Sequence, residues 1–483
     1  MNVDFTLLIP EFILAGVGLL VLVVDMAWPS RWGRHLNVVT ASTAAAGLVL
    51  AGVVALSTQM DTNEFLYSQL LFVDRYSLFF KALLIGTGFA VVLMSVEYVG
   101  RRMRSPGEFY ALVVFAVLGG VLMSEAGELL TAFIAIELLS FSLYVLVGLT
   151  RGDSRSAEAS VKYILLGAIS SAVLLYGISL IYGTLGTTVF RSIDTRLSGV
   201  FEPTVIIGFA MIIAGFGFKL SMVPFHMWAP DVYEGAPTPV TALIAVLSKA
   251  AAFALVLRFL VEAGGTSHEQ WQLAIAILAA LTMTVGTLTA LVQTNIKRLL
   301  AYSSIAQVGF VLVGVVSLSE AAANAVMLHL AGYAFSNLAV FAVVIAVENR
   351  TGREQIADYA GLAKRSPFLA MVMTGALFSL AGLPIFAGFI TKFYLFTSAG
   401  DAGLLWLAGI AITNSVISLY YYLRIVREMY VSDAPVATRM RVPLLTTGTL
   451  WALFAGTVAV GVYPGPLVDA IDAATDVLGP FLG

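Results

Sequence analysis

Apolar runs of about 20 residues recur along this chain from end to end, and each is long enough to cross a bilayer as a helix. Fourteen can be delimited, at 5–28, 36–57, 75–99, 108–124, 127–150, 159–184, 204–229, 238–262, 271–293, 298–317, 321–348, 366–399, 403–429 and 441–464. Lipid offers the backbone no hydrogen-bond partners, so a crossing segment must be a helix or part of a closed barrel. A barrel strand would alternate apolar and polar residues, and a run such as Ala111–Met123 does not. Only 11% of the residues are charged, against roughly 25% in soluble domains. The sequence therefore reads as an all-α polytopic membrane protein with about fourteen transmembrane helices. It contains no cysteine, which rules out disulfides, cysteine-ligated zinc and iron–sulfur clusters on this chain.

Basic residues set the orientation. Loops after odd-numbered spans carry sixteen lysines and arginines, among them Arg31, Arg34, Arg101, Arg102, Arg151, Arg155, Lys297, Arg298, Lys364 and Arg365. Loops after even-numbered spans carry three, Arg75, Arg191 and Arg196. This asymmetry predicts both termini on the outer side. The first basic residue follows the first apolar run, so no cleavable leader is expected. The tail, 465–483, is expected at the interface.

Seven cations remain, all inside spans: Lys81, Lys162, Lys219, Lys249, Arg258, Lys392 and Arg424. Arg258 and Arg424 lie near span ends, where long side chains snorkel to water. Lys81, about two turns into its span, stays open between a structural and a functional reading. Lys162 is about one turn inside its span, with Glu158 one turn away. Lys249 lies near the middle of an otherwise apolar run. A lysine there must face a wet cavity or a counter-ion. Lys219 follows the apolar run Val205–Phe218, and Pro224 breaks the helix just beyond it. The run at 366–399 repeats that feature: Gly382-Leu-Pro384 and Gly388 interrupt it, and Lys392 follows. Two broken spans five apart predict two inverted five-span repeats, because an odd number of spans reverses the topology of the next unit. The division is then an N-terminal three-helix segment 1–104, a first unit 105–265, a second unit 266–430, and a C-terminal helix and tail 431–483.

Few other polar groups sit deep in spans. Glu137 is the clearest acid, and a nearby lysine such as Lys219 would hold both charged. His226 follows the break after Lys219, and His329 shares a helical face with Tyr333 and Asn337; a neutral imidazole can accept and pass a proton. His35 and His268 fall in loops and read as solvated. The four histidines are too scattered to form a metal site. Interfacial belts account for most aromatics, with Tyr421 a candidate for the end of a proton path.

The segment Pro224-Phe-His-Met-Trp-Ala-Pro-Asp-Val-Tyr-Glu-Gly-Ala-Pro-Thr-Pro-Val-Thr resembles the signature of the antiporter-like membrane subunits of respiratory complex I. Asn295-Ile-Lys-Arg-Leu-Leu-Ala-Tyr-Ser-Ser-Ile-Ala-Gln and Leu383-Pro-Ile-Phe-Ala-Gly-Phe-Ile-Thr-Lys-Phe are similar to its other hallmarks. The Asp-Val-Tyr-Glu-Gly variant resembles the branch called subunit N, or subunit 2. The resemblance implies discontinuous helices 7 and 12 and a set of proton-translocating residues. Glu137 and Lys219 would be the ion pair of a first half-channel, Lys162 its modulating neighbour and Lys249 the central carrier. Lys392 would be the terminal site of the second half-channel, and His226, His329 and Tyr421 would be relays. The second unit shows no clear acid to pair with Lys392.

The same resemblance implies a non-redox subunit of a proton-translocating NADH:quinone oxidoreductase in a bacterial plasma (inner) membrane. NADH, FMN, iron–sulfur clusters and quinone would be held by other subunits, with none on this chain. Its partners would be the bilayer, protons, a subunit M and a small K-type subunit, with no nucleic acid. Two other readings stay open at this point: a subunit of a multi-subunit sodium/proton antiporter, and a structural spacer of the membrane arm that transports nothing.

Overall fold

The computed structural model describes residues 5–28, 33–150, 152–197, 202–433 and 439–479; Arg31 and Arg151 of the basic loops lie outside them. The described residues fold mainly as helices, with one small hairpin among them. In order they are α1 (Ile9–Ala27), α2 (Gly33–Thr58), α3 (Arg75–Arg102), α4 (Pro106–Glu125), α5 (Leu129–Val147), α6 (Ser154–Leu185), the short α7 (Phe190–Leu197), and α8 (Pro203–Leu220). Then follow α9 (Trp228–Gly235) and α10 (Thr238–Leu243), which continues through a π-helical turn at Ile244–Ser248 into α11 (Lys249–Gly264). The second half has α12 (His268–Ala290), α13 (Ile296–Ser317), α14 (Glu320–Thr351), α15 (Leu362–Arg365), α16 (Pro367–Ala381), α17 (Ala387–Asp401), α18 (Leu405–Tyr430), α19 (Leu444–Val462) and α20 (Gly465–Thr475). The strands β1 (Glu64–Leu66) and β2 (Leu71–Val73) pair antiparallel between α2 and α3.

Among the described residues, thirteen helices are long and apolar enough to cross a membrane. The fourteenth expected span is α16 and α17 together, at 15 residues each. One such helix measures about 22 Å, short of a hydrocarbon core of about 30 Å. Gly382 ends α16 at φ 89°, a left-handed conformation that a side chain disfavours. Gly388 then lets α17 approach: a Cβ there would sit 1.7 Å from the Ser379 carbonyl oxygen. The expected span 204–229 stops earlier, at Leu220, where Ser221 takes φ 63°. Trp228 therefore opens α9 rather than closing α8.

Helix starts follow local chemistry. Asp74 caps α3 by accepting from the Ser77 N–H at 2.7 Å. Glu128 accepts from the Thr131 and Leu130 N–H groups at the head of α5. Asn295 caps α13 in the same way. Burial is uneven: the most apolar stretch of Thr238–Gly264 is 100% buried, that of α6 only 28%. A helix apolar on every side belongs in the interior, and α11, α13 and α14 form that interior. Neighbour relations recur between the halves. α4 packs on α5 and α11, α5 on α6, and α6 on α8 and α9. Likewise α12 packs on α13 and α18, α13 on α14, and α14 on α16 and α17.

Two expectations need correction. Arg258 does not snorkel: it is fully buried and donates to both Asp74 carboxylate oxygens at 2.8 Å, because Asp74 at the head of α3 meets it across the bundle. His268 is not a solvated loop residue; it begins α12, with its Nε2 2.9 Å from the Val316 carbonyl oxygen. The tail, expected at the interface, holds α20, which packs on α14 and α3 and is tied by Asn324 Nδ2 donating to Asp472 Oδ1 at 2.6 Å.

Candidate functional site

Lys219 occupies the last turn of α8, where the free carbonyl ends of the helix favour a cation. It is 3% exposed, and its Nζ donates to Ser140 Oγ at 2.9 Å. Ser140 lies one turn after Glu137 on α5. Glu137 accepts from Ser171 Oγ of α6 at 2.5 Å. The expected Glu137–Lys219 pair is thus not a direct contact: Ser140 holds the ammonium, while the carboxylate stays close enough to act on its charge. The break beyond Lys219 is closed by Trp228, a residue the sequence did not single out. Its Nε1–H donates to the Phe218 carbonyl at 2.9 Å, and its ring stacks on Tyr163 at 4.5 Å. Val223 N–H donates to Thr282 Oγ1 at 3.0 Å. His226 lies half-buried in this turn, its Nδ1 without a hydrogen-bond partner among the described residues.

Lys249 begins α11 directly after the π-helical turn and is 3% exposed. Its Nζ has no hydrogen-bond partner among the described residues. A π turn rotates and shifts the residues after it relative to a regular helix, and such turns gather at functional sites. Tyr333 of α14 reaches this turn, its hydroxyl donating to the Ala245 carbonyl at 3.1 Å. Ser304 Oγ lies 2.8 Å from the same hydroxyl, and Asn337 also donates to it.

Lys392 of α17 reaches back across the second break. Its Nζ donates to the carbonyls of Leu380 and Ala381, the last of α16, at 2.9 and 3.3 Å, and to Ser415 Oγ at 3.0 Å. The Phe310 ring lies 4.5 Å from it. The acid missing from the sequence is here replaced by the partial negative charge of a helix C-terminus and by an aromatic face. The placement also removes an apparent mismatch between the two broken spans: Lys219 stands before its break and Lys392 after it, yet both ammonium groups sit at the end of the first half-helix.

His329 connects the last two lysines. Its Nδ1 lies 3.0 Å from Thr391 Oγ1, next to Lys392, and its ring runs nearly parallel to Tyr333, at 13° and 6.5 Å. Its Nε2 has no hydrogen-bond partner among the described residues. Residues of α14 therefore run from the π turn before Lys249 to the neighbour of Lys392. Tyr421 is fully buried beside Tyr422, with ring centroids 4.4 Å apart, and Tyr422 is 2.5 Å from Ser303 Oγ.

Lys162 stands apart. Its side chain is 43% exposed and pairs with Glu158 and Asp231, both at 2.8 Å. Arg298 binds Asp231 and Glu234 beside it. These groups line an open cleft of about 300 Å³ away from Lys219.

Chemically, Lys219, Lys249 and Lys392 form one class: buried amines with no carboxylate within 4.0 Å among the described residues. Burial disfavours the charged form of an amine, and an adjacent carboxylate restores it. An amine without that neighbour can gain or lose its proton at comparable cost.

Comparison with known proteins gives this arrangement its context. The family described as "NADH:quinone oxidoreductase/Mrp antiporter, TM" matches residues 126–418. The NADH-quinone oxidoreductase subunit N of Desulforamulus reducens is 42% identical over 98% of this chain and 98% of its own length. A chain in the structure of respiratory complex I from Thermus thermophilus with bound Aureothin is 30% identical, covers 96% of this chain and 99% of its own, and superposes with a TM-score of 0.80. A chain of the Mrp complex from a Dietzia species shares the fold, with a TM-score of 0.85 at 22% identity, over 99% of both chains. The chain is a membrane protein, and it belongs to the antiporter-like family shared by NADH:quinone oxidoreductase and Mrp antiporters, in its subunit N branch.

Proposed function

We propose that this chain is a proton-translocating, non-redox subunit of an NADH-quinone oxidoreductase, driven by quinone reduction on other subunits of the complex. The observation that carries the reading is the row of three buried, acid-free lysines at the helix breaks and the π turn. In this reading Lys219, with Glu137 and Ser140 beside it, takes up a proton in the first unit, 105–265. Lys249 carries it at the centre, His329 and Thr391 relay it, and Lys392 is the terminal site in the second unit, 266–430. Lys162 modulates the first site through the charged cleft, and His226 and Tyr421 serve at the ends of the path. The recurrence of helix neighbours between the halves supports treating them as inverted repeats.

Moving a proton against about 100 mV costs about 2.3 kcal/mol. The machine must therefore change the proton affinity of a carrier roughly fiftyfold per cycle. Displacing a neighbouring charge such as Glu137 in a dry interior supplies an effect of that order. NADH, FMN, iron–sulfur clusters and quinone belong on other subunits in this reading. A subunit M and a K-type subunit are its membrane neighbours, in a bacterial inner membrane with both termini outside. The sodium/proton antiporter reading shares the fold, but the full-length relatives at 42% identity favour the oxidoreductase.

The test is Lys219→Ala in the assembled complex. Proton pumping and coupled quinone reductase activity should fall while the assembled amount stays at the wild-type level. Unchanged pumping by an assembled variant refutes the roles assigned here.

A further inference from the structure

The N-terminal segment holds a second buried cluster of titratable groups, far from the lysine row in chain order and built on the opposite plan. Lys81 of α3 is fully buried. Its Nζ forms ion pairs with Glu11 Oε1 and Glu125 Oε1, both at 2.6 Å, and donates to Gln59 Oε1 at 2.8 Å. Gln59 is fixed in turn, its Nε2 donating to the Leu7 carbonyl at 2.6 Å. Lys81 is thus a satisfied ammonium, and the carboxylates are in excess. Glu125 is fully buried and the Glu11 side chain is 7% exposed. None of the four carboxylate oxygens of Glu11 and Glu125 has a hydrogen-bond partner among the described residues.

One ammonium and two carboxylates leave a net negative charge in a dry interior, where an uncompensated charge is expensive. Both carboxyl groups crowd the same ammonium, each with an oxygen 2.6 Å from its Nζ. One ammonium neutralises one carboxylate, so the other is held neutral by a proton. Helix ends decide which. Glu11 stands in the first turn of α1, where the N–H groups favour an anion, and Glu125 is the last residue of α4, where the carbonyl ends disfavour one.

We propose that Glu11, Lys81 and Glu125 form a second proton-binding site, in which one proton rests on Glu125 while Glu11 stays ionised beside Lys81. Leu7, whose carbonyl anchors Gln59, packs in an apolar cluster with Leu8, Leu66 and Val73. The hairpin that supplies the last two is pinned by Gly127 N–H donating to the Leu70 carbonyl at 3.0 Å. Gln59 and Glu125 stand at the ends of spans two and four, and the charge asymmetry assigns the loops after them to the outer face. The site is a store for one buried proton.

Infrared spectroscopy of the purified, assembled complex at neutral pH tests this directly. Each of E11Q and E125Q leaves one carboxylate facing one ammonium, so each should remove one carboxylic-acid C=O band relative to wild type. That band should shift down in D2O. E64Q, at an exposed carboxylate, should leave it unchanged. If either glutamine variant assembles and keeps the band, both carboxylates are ionised and the proposal fails. Should neither assemble, E11D and E125D preserve the charge pattern. They should displace the same band, and an unmoved band overturns the proposal equally.

Discussion

Five buried cations of this molecule fall into two groups that differ in what faces them. Arg258 and Lys81 are gripped by carboxylates, two oxygens of Asp74 for the first and two glutamates for the second. Lys219, Lys249 and Lys392 are equally buried and face serines, carbonyls, a phenyl ring or nothing. A carboxylate locks a cation in its charged form; a hydroxyl or carbonyl lets it change. Burial therefore does not mark the working residues of this chain. The kind of partner does.

The comparison breaks most visibly at Arg258. Removing it as Arg258→Met strands Asp74 in the interior, at a cost of about 3–5 kcal/mol. Thermal unfolding or assembled yield of the complex should show this, and the double variant with Asp74→Asn should recover most of it. If Arg258→Met is as stable as wild type, Asp74 is not an obligate partner. Lys249→Met should behave the opposite way: no partner is stranded, so assembly is unchanged, while pumping drops by on the order of tenfold, about 1.4 kcal/mol in barrier terms. Proton uptake into proteoliposomes measures it, and a loss of assembly instead would place Lys249 in the structural group. Glu137→Gln leaves Lys219 buried on Ser140 and removes only the adjustable charge, so pumping should fall by a few-fold, less than for Lys249→Met. Smallest is Ser415→Ala, which takes one of three hydrogen bonds from Lys392 at about 1 kcal/mol. A modest change in coupled activity is expected, and an effect as large as that of Lys249→Met would show that Ser415 does more than hold the amine.

The spans were legible because an apolar run of bilayer length has little use outside a membrane, and the second break because Gly382, Pro384 and Gly388 fall within one run. The partners were less so. Arg258 was misread because Asp74 lies 184 positions away, and nothing local marks the pairing. The contacts of Lys392 are mainly backbone carbonyls, which leave no side-chain signature; the sequence showed an absent acid where the fold supplies a helix end. The hairpin at Glu64–Val73 has strands of three residues, too short for a periodic signal. The π turn before Lys249 is written in ordinary apolar residues, Ile244 to Leu247, and could not be foreseen. Glu137, Lys219, Lys249 and Lys392 were found by a blunt argument, that polar groups at membrane depth need a reason, and this argument identifies them without saying how they touch.

Both interrupted helices are fastened at the interruption. After α8, the Ser221 and Met222 N–H groups return to the Phe218 and Gly217 carbonyls, and Trp228 occupies Phe218 as well. After α16, Gly382 and Leu383 return to Phe378, Gly388 is held by Ser379 Oγ, and Lys392 takes the Leu380 and Ala381 carbonyls. A joint with its backbone fastened in this way is a welded corner and not a hinge. A push on one arm of such a corner is passed to the other with little lost in bending. What yields first, in such a frame, is the short reach of an amine from one oxygen to the next.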